Sequence, residues 1–481
     1  MHAAAQASGP KRIPNFGANV VSHPQVVLTP RTEQEVLAAL AEHRGRKFRA
    51  VGRLHSWSQA AQADDVLIDL NHFDQVEVTH DVGGPLAIIG AGCQIKRALA
   101  ELARHGLTLP TLGLISEQTI AGATATGTHG SGRHSLSHYL CEVRLAHFDS
   151  VSGEPAIRVI REGDELLAAR CSLGCLGIVL SVSLRPRPAY RIEEWLQRHD
   201  SLESVLAAEN HTPLQQFYFI PWFWTYLVQH RRESDRPGSL LAGLYRVYWF
   251  LTMDLGLHLL IRFLVQTLRS DQLVRWFYRY IALLTAVRGW HVIDESADML
   301  VMEHELFRHI EIEVFVQRDD LPAAMTSLRE LLEHCGGNAA ALSPTMRDRL
   351  RALGLEGELD ALLGTYVHHY VICVRRVLPD DTLISMTSGD QQPRYALSLI
   401  SYARPHRRKS FFAFADFLAR SMAALFNARP HWGKVCPLDA AAMEKLYPGL
   451  GSVREVCRRL DPGRSFANEW TARVLGLDSR T

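Results

Sequence analysis

The most constraining feature of this 481-residue chain is a tract with almost no side-chain bulk, Thr119-Ile120-Ala121-Gly122-Ala123-Thr124-Ala125-Thr126-Gly127-Thr128-His129-Gly130-Ser131-Gly132. Four of its fourteen residues are Thr and four are Gly, which is poor helix material. Two structures suit such a tract. One is a tight helix packed on a sheet. The other, favoured by propensity, is a loop whose backbone approaches a large planar ligand closely. A second stretch, Val51-Gly52-Arg53-Leu54-His55-Ser56-Trp57-Ser58, leaves a predicted strand and is rich in small hydroxylated residues. Its backbone N–H groups and Ser hydroxyls could hold a diphosphate. No GxGxxG follows the first strand, so a Rossmann dinucleotide site has no support.

Charge and composition narrow the classes. The 52 Lys+Arg nearly cancel the 51 Asp+Glu, leaving +1, so no basic field for nucleic acid exists. A hydrophobic fraction of 47% is too high for disorder. The length allows two domains, each with its own core. The eight cysteines contain no CxxC, and Cys171 and Cys175 flank Ser-Leu-Gly without further ligands at zinc spacing. Reduced thiols of a cytoplasmic protein, and no metal, are expected. Met1 to Pro14 lacks the apolar core of a signal peptide and reads as a loose lead-in.

Hydrophobic periodicity predicts an α+β unit with mixed sheets at the N-terminal side. Strands are expected at 26–28, 48–51, 66–70, 86–89 and 179–184. A helix starts at Thr32, with Glu35 completing a capping box, buries Val36, Leu37, Leu40 and Ala41, and stops at Gly45. A second helix is expected at 95–104. Pro186 and Pro188 mark a boundary near 188, after which Trp and Tyr become dense. Beyond it, strands are expected at 309–316, 366–374 and 383–386, with a helix at 321–333. Ser239 to Leu268 is the nearest approach to a membrane span. Its Arg246, Asp254, His258 and Arg262 fall at multiples of four and predict one narrow polar stripe on an apolar helix. An aromatic-rich stretch, Leu273 to Val287, follows. Two readings stand equally: a pair of buried helices, or a peripheral membrane or homo-oligomer contact through 240–287.

The two small-residue stretches resemble the FAD-binding domain of the vanillyl-alcohol-oxidase type, and more narrowly that of the aldonolactone oxidase group, which includes gulonolactone, arabinonolactone and alditol oxidases. Arg429-Pro430-His431-Trp432-Gly433-Lys434 is similar to the group's HWGK motif. Tyr447-Pro448 and Asp461-Pro462-Gly463-Arg464-Ser465-Phe466-Ala467-Asn468 resemble its terminal signature, and Ser172 to Ile178 a flavin-contact segment. The matches run in order from about Asn15 to Leu475. The resemblance implies an α+β, two-domain flavoprotein. A PCMH-type FAD-binding domain of two α+β subdomains would span 1–188. An α/β cap with an antiparallel sheet would span 189–430, and 431–481 would return to the cofactor. FAD contacts are implied for Val51 to Ser58, for Thr119, Gly122, Ala123, Thr126, Gly127, Thr128, His129 and Gly130, for Gly174, Gly177 and Ile178, and for His431 and Lys434. In several members the histidine matching His55 is bonded to the flavin 8α position, which implies covalent FAD here. Many members have Gly before that histidine, whereas this chain has Leu54.

The family chemistry implied is oxidation of a CH–OH group of a sugar lactone, polyol or related alcohol, by hydride transfer to flavin N5. Oxygen or a membrane electron acceptor would reoxidise the cofactor. Lys434 and Arg375 would stabilise charge on oxygen and on the reduced ring. Thr119 matches a substrate-contacting Ser of alditol oxidases. The group's acidic residue should lie two before Arg375, on the same face of the strand, but Cys373 stands there. A neutral thiol cannot orient a hydroxyl as a carboxylate does. Glu311 and Glu313, together on one face of a neighbouring strand, and His368 and His369 are the candidate replacements. Loss of that glutamate and the apolar insert also suit a second reading, an apolar or lipid-linked alcohol. A third is a catalytically silent flavin-binding protein.

Overall fold

The computed structural model describes residues 12–302 and 308–477. Most of the expected lead-in, Met1 to Lys11, lies outside the described residues, while Ile13–Pro14 pairs with Val21–Ser22. Three sheets organise the rest.

The first is a small parallel sheet of β1 (Val26–Leu28), β2 (Phe48–Val51) and β3 (Val66–Asp69), in the order β1-β3-β2. Helix α1 (Glu33–Glu42) connects β1 to β2. Thr32 Oγ1 accepts from Glu35 N at 3.2 Å, but the Glu35 carboxylate turns back to Arg31 N at 2.7 Å rather than closing the reciprocal box. Val36, Ala39 and Leu40 are its buried face; Ala41 is exposed.

The second sheet is antiparallel. It contains β4 (Val76–Asp81), β5 (Gly84–Gly90), β6 (Leu140–Phe148), β7 (Pro155–Ile160) and β8 (Ile178–Leu184), in the order β7-β6-β8-β5-β4. Helix α2 (Ile95–Ala103) packs through Ile95, Ala98, Leu99 and Leu102, one helical stripe. The small-residue tract opens with a short helix, α3 (Ile120–Ala125), and only then becomes loop. The loop expectation therefore fails for its first half. Burial of Ile120, Ala123 and Thr124 outweighs the low intrinsic propensity, and the small residues let the turn sit flat on the sheet.

The third sheet is antiparallel throughout. Its strands are β9 (Arg191–His199), β10 (Gln216–Ile220), β11 (Thr225–Ser234), β12 (Val292–Glu295), β13 (Ile310–Gln317), β14 (Ile372–Val377), β15 (Arg394–Ser401) and β16 (Arg429–Pro430), ordered β12-β9-β11-β10-β14-β15-β13-β16. The strand expected at 366–374 begins only at Ile372, because side chains take the earlier carbonyls: Trp222 Nε1 donates to His368 O at 2.8 Å and Tyr278 Oη to His369 O at 3.2 Å. The strand expected at 383–386 is a loop. Asp380 folds it by accepting from Ser135, Thr382, Ser385 and Thr387 hydroxyls.

One side of this sheet carries α6 (Leu321–Cys335) and α7 (Lys409–Phe426). Between β11 and β12 run α4 (Ala242–Leu268), with π-helical stretches at Phe250–Leu257 and Phe263–Leu268, and α5 (Asp271–Tyr280), capped by Ser270. The expected polar stripe on α4 is divided. Asp254 and His258 are buried on the inner side, and Arg246 points outward to Asp294 and Asp298.

The C-terminal residues close the molecule. Phe48 N donates to Ser465 O at 2.7 Å, and Asn468 Nδ2 to Gln59 O at 2.8 Å. The buried Arg49 guanidinium donates to the carbonyls of Ala60, Leu173 and Phe466. The first parallel sheet is thereby tied both to the Ser172–Ile178 segment and to the end of the chain.

Candidate active site

A single large cavity, about 2310 Å³ with its open mouth included, lies where the three sheets meet. Its first region is built from main chain and small side chains. Val51, Gly52, Arg53, Leu54, His55, Ser56 and Trp57 line it, with Gly113, Thr119, Gly122, Thr126, Thr128, Gly174 and Gly177. Leu54 has φ +55°, a left-handed conformation. It bends the loop that runs along the cavity wall. Close approach explains two glycines here. A Cβ on Gly52 would meet the Thr119 hydroxyl, and one on Gly113 would meet the Thr128 methyl at 2.7 Å.

The second region is a charged row on the large sheet. Side chains alternate along a strand, so Glu311 and Glu313 of β13 share a face, as do Cys373 and Arg375 of β14. Register then aligns Tyr218, Cys373, Ser398 and Glu313 across four strands. All line the cavity. Arg375 Nε donates to Gln216 Oε1 at 2.9 Å, and Gln216 Nε2 is held by Gln229 Oε1 at 2.7 Å. The Glu311 carboxylate accepts from Ser398 Oγ and from Lys434 Nζ. Lys434 also sits 4.3 Å from the centre of the Trp57 ring. The HWGK residues are fixed along β13 by main chain: His431 N donates to Glu313 O at 2.9 Å and Val435 N to Glu311 O at 3.0 Å.

Protonation follows from burial and neighbours. Burial pushes the Cys373 thiol up, so it stays neutral. Burial opposes the Arg375 charge, but the Glu313 and Glu311 carboxylates outweigh it and hold the guanidinium protonated. For Glu313, burial is outweighed by His129, whose Nε2 lies 3.5 Å from Oε1, with help from Lys434, and the carboxyl is held well below the usual range. Burial pushes His431 down to about 3, leaving it neutral, and its Nδ1 accepts from Gly433 N at 2.9 Å. His129, Glu313 and His431 bring ligand atoms within 4.8 Å of one another. The neighbouring Lys434 and Arg375 cations disfavour a metal ion there, and the trio serves to position the carboxylate.

The third region is apolar. Leu196, Ile220, Leu227, Trp249, Met253, Leu257, Leu283, Val371 and Ile400 line it, with His258, Tyr278, Thr285 and Tyr370 among its polar groups. Tyr370 Oη and His258 Nε2 are 2.8 Å apart.

The structure therefore gathers His55, Thr119, His129, Glu311, Glu313, Cys373, Arg375, His431 and Lys434 at one cavity. Ser58, Ala123, Gly127, Gly130 and Ile178, also expected at the cofactor, are not among the residues lining the cavity. Ser58 caps the turn Gln59–Ala61, Ala123 and Ile178 are buried in the core, Gly127 abuts Met386, and Gly130 abuts Leu112 O. His368 and His369 also lie outside; His369 Nε2 accepts from Tyr402 N at 2.9 Å. Sequence reading missed Gln216, Tyr218, Ser398 and the apolar wall. Period-two patterning of β10 and β15 could have found the first three.

The first region fits FAD. Its walls are flat main chain, its polar groups include amides and hydroxyls, and Arg53 lines it, while the acidic side chains of the cavity among the described residues, Glu311 and Glu313, are on the sheet. That donor set suits a diphosphate joined to planar rings.

Comparison with known proteins agrees. Residues 24–149 match the family described as FAD binding domain, and residues 182–474 match D-arabinono-1,4-lactone oxidase. The chain is 52% identical over 466 residues to a long-chain alcohol oxidase from an uncultured marine euryarchaeote, covering 97% of each. It is 27% identical to L-gulono-1,4-lactone dehydrogenase of Mycobacterium tuberculosis, covering 96% of this chain and 98% of the other. Among solved structures, cholesterol oxidase from B. sterolicum shares the fold, with a TM-score of 0.72 at 16% identity over 96% of each chain.

The buried histidines predict a pH dependence. Burial holds His369 at about 4 and His431 at about 3, against about 6.5 in the unfolded chain. A depressed histidine contributes stability that is complete above its unfolded pKa and is lost as pH falls toward the folded one. Glu313, also depressed, loses its contribution only below the ordinary carboxylate range. Thermal midpoints should therefore fall between about pH 6.5 and about pH 4.5, with a shallower slope in His369→Gln. An equal slope in that variant would exclude His369 as a contributor.

Proposed function

The chain belongs to the D-arabinono-1,4-lactone oxidase family of FAD-dependent oxidoreductases, and we propose that it oxidises long-chain, apolar alcohols with oxygen as electron acceptor. The observation that carries this reading is the apolar third of the cavity, which begins where the charged row ends. A sugar lactone or polyol would leave its hydroxyls unpaired against Leu196, Leu227, Trp249 and Met253, at a cost for each. An alkyl chain gains there, by about 0.8 kcal/mol per buried methylene. The identity to a long-chain alcohol oxidase supports the same class.

Bound FAD supplies the acceptor for the hydride leaving the alcohol carbon. The protein's own groups manage the proton and the charge. Glu311 takes the hydroxyl proton. Ser398 and Lys434 aim its carboxylate into the cavity, and Lys434 holds negative charge beside the cofactor region. Arg375, fixed by Gln216, stabilises charge developing on the substrate oxygen. The family carboxylate, absent at Cys373, is thus supplied from β13, two strands away. Cys373 leaves room and stays neutral. Glu313 is engaged by His129 and keeps the row ordered. Thr119, at the N-cap of α3, offers a hydroxyl to substrate or cofactor.

The loop 51–57 embraces the cofactor, with His55 as its covalent tether; His55 is buried beside Phe16 at 4.8 Å between ring centres. The chain divides into a cofactor domain at 1–188, a cap at 189–430 and a returning segment at 431–481. Eight free thiols favour a cytoplasmic location.

Oxygen consumption with linear alcohols should show kcat/KM rising about threefold to fourfold per methylene while the chain lengthens inside the cavity. Preference for a sugar lactone, or no dependence on length, would overturn the substrate class. Glu311→Gln should retain FAD and lose activity by about 10²–10⁴; near-normal turnover would remove Glu311 as the base. After acid precipitation, yellow colour should stay with the wild-type pellet and leave with the supernatant in His55→Ala. Release from the wild type would refute the tether.

A further inference from the structure

We propose that the outer face of α4 and α5 docks on an anionic lipid bilayer and that the substrate reaches the cavity from that bilayer; the second half of this statement rests on the long-chain alcohol reading. The outer face of α4 exposes apolar side chains toward both of its ends. Leu244, Val247 and Leu251 are 57%, 54% and 53% exposed, and Leu259 and Phe263 are exposed further along. On α5, Leu273, Trp276 and Tyr280 follow at three- and four-residue spacing, all exposed. Exposed apolar surface of this extent needs a partner.

The two helices do not leave the fold to cross a membrane. Tyr245, Ile261 and Leu264 of α4 and Val274 and Phe277 of α5 are buried against the body of the protein. The pair therefore lies along a surface. Its inner side is the cavity wall: Trp249, Met253 and Leu257 of α4 line the cavity, followed by Leu283 and Ala286 just after α5. A wall one helix thick separates the apolar cavity from the apolar exterior. The π-helical stretches carry Met253 and Leu257 within that wall.

Charge selects the occupant. Residues 240–291 hold six arginines and two aspartates, and of the six, Arg246 is neutralised by Asp294 and Asp298 just beyond the segment. Arg269, Arg279 and Arg288 are exposed beside Leu268, Tyr280 and Val287, and make no ion pair among the described residues. Arginines at the rim of an apolar face, with Trp and Tyr among the exposed side chains, match the depth profile of a bilayer with anionic headgroups. A second copy of the chain, joined through the same patch, would bring together two faces of the same positive sign.

The test uses the FAD-loaded protein and vesicles of phosphatidylcholine with or without phosphatidylglycerol. The wild type should sediment with the vesicles, more with phosphatidylglycerol and less at high salt. Arg269→Glu/Arg279→Glu/Arg288→Glu should lose the phosphatidylglycerol dependence. Leu251→Glu/Phe263→Glu/Trp276→Glu should cut vesicle binding about tenfold or more. It should also slow oxidation of a long-chain alcohol embedded in vesicles, while leaving turnover of a short, water-dissolved alcohol unchanged. None of the substituted residues lines the cavity. Wild type that stays in the supernatant, variants that bind as well as wild type, or an oligomer that these substitutions dissociate without any vesicle binding would each overturn the docking. Vesicle binding without faster use of embedded alcohol would overturn delivery alone. Failure to oxidise long-chain alcohols even in detergent would refute the substrate reading and leave the binding result standing.

Discussion

Two carboxylates and two cations share one buried row, and much of the site's architecture serves to keep them together. Glu311, Glu313, Arg375 and Lys434 line one cavity, with the carboxylates and Lys434 almost fully buried. Isolated, each charge would cost several kcal/mol. Together they balance, provided every partner is held at bonding distance. Gln216 and Gln229 hold Arg375 from one side, Ser398 links β15 to Glu311, and His129 reaches Glu313 from the small-residue tract. Lys434 arrives last along the chain, carried by a segment whose backbone pairs with β13.

That late arrival explains the tie between the chain's ends. Lys434 can complete the row only if the segment from His431 onward is fixed both to β13 and to the first sheets. Trp57 N donating to Gly433 O at 2.8 Å provides one link, and Arg49 and Asn468 provide the others. The same links position the loop 51–57 against the charged row. Binding of cofactor and management of the proton are therefore set by one group of contacts. The apolar wall draws on β9, β10, β11 and the α4–α5 pair, and it joins the charged row through Val371 before β14 and Ile400 of β15, which lies opposite Glu311.

Much of this was legible in the sequence where local signals are strong. The strands at 26–28 and 48–51 are short apolar runs, and α2 and α6 show clean periodicity. The motifs located His55, Thr119, His129, Arg375, His431 and Lys434, but not Gln118, Tyr218, Tyr278, Tyr370 or Ser398 of the cavity lining. What escaped did so for identifiable reasons. Strands β9 and β11 are full of charge, which hides their alternation. In the fold Glu194 and Arg231 pair across them in the core, and buried Glu193 pairs with the exposed Arg232. The loop at 380–388 depends on Asp380 collecting hydroxyls from residues near and far. The partnership of Glu311 with Lys434 spans 123 residues of sequence, so no spacing rule could show it. On α4, the stripe at multiples of four was real as a pattern, but π-helical winding shifts its phase, so two of its members face inward.

The central claim is that a charged row meeting an apolar wall makes this family member an oxidase of long-chain alcohols. Anaerobic mixing of the FAD-loaded protein with a single substrate, followed by flavin absorbance, tests it most directly. The account predicts rapid bleaching by a long-chain alcohol and little or none by an aldonolactone at the same concentration. Bleaching by the lactone that outpaces the alcohol would contradict it.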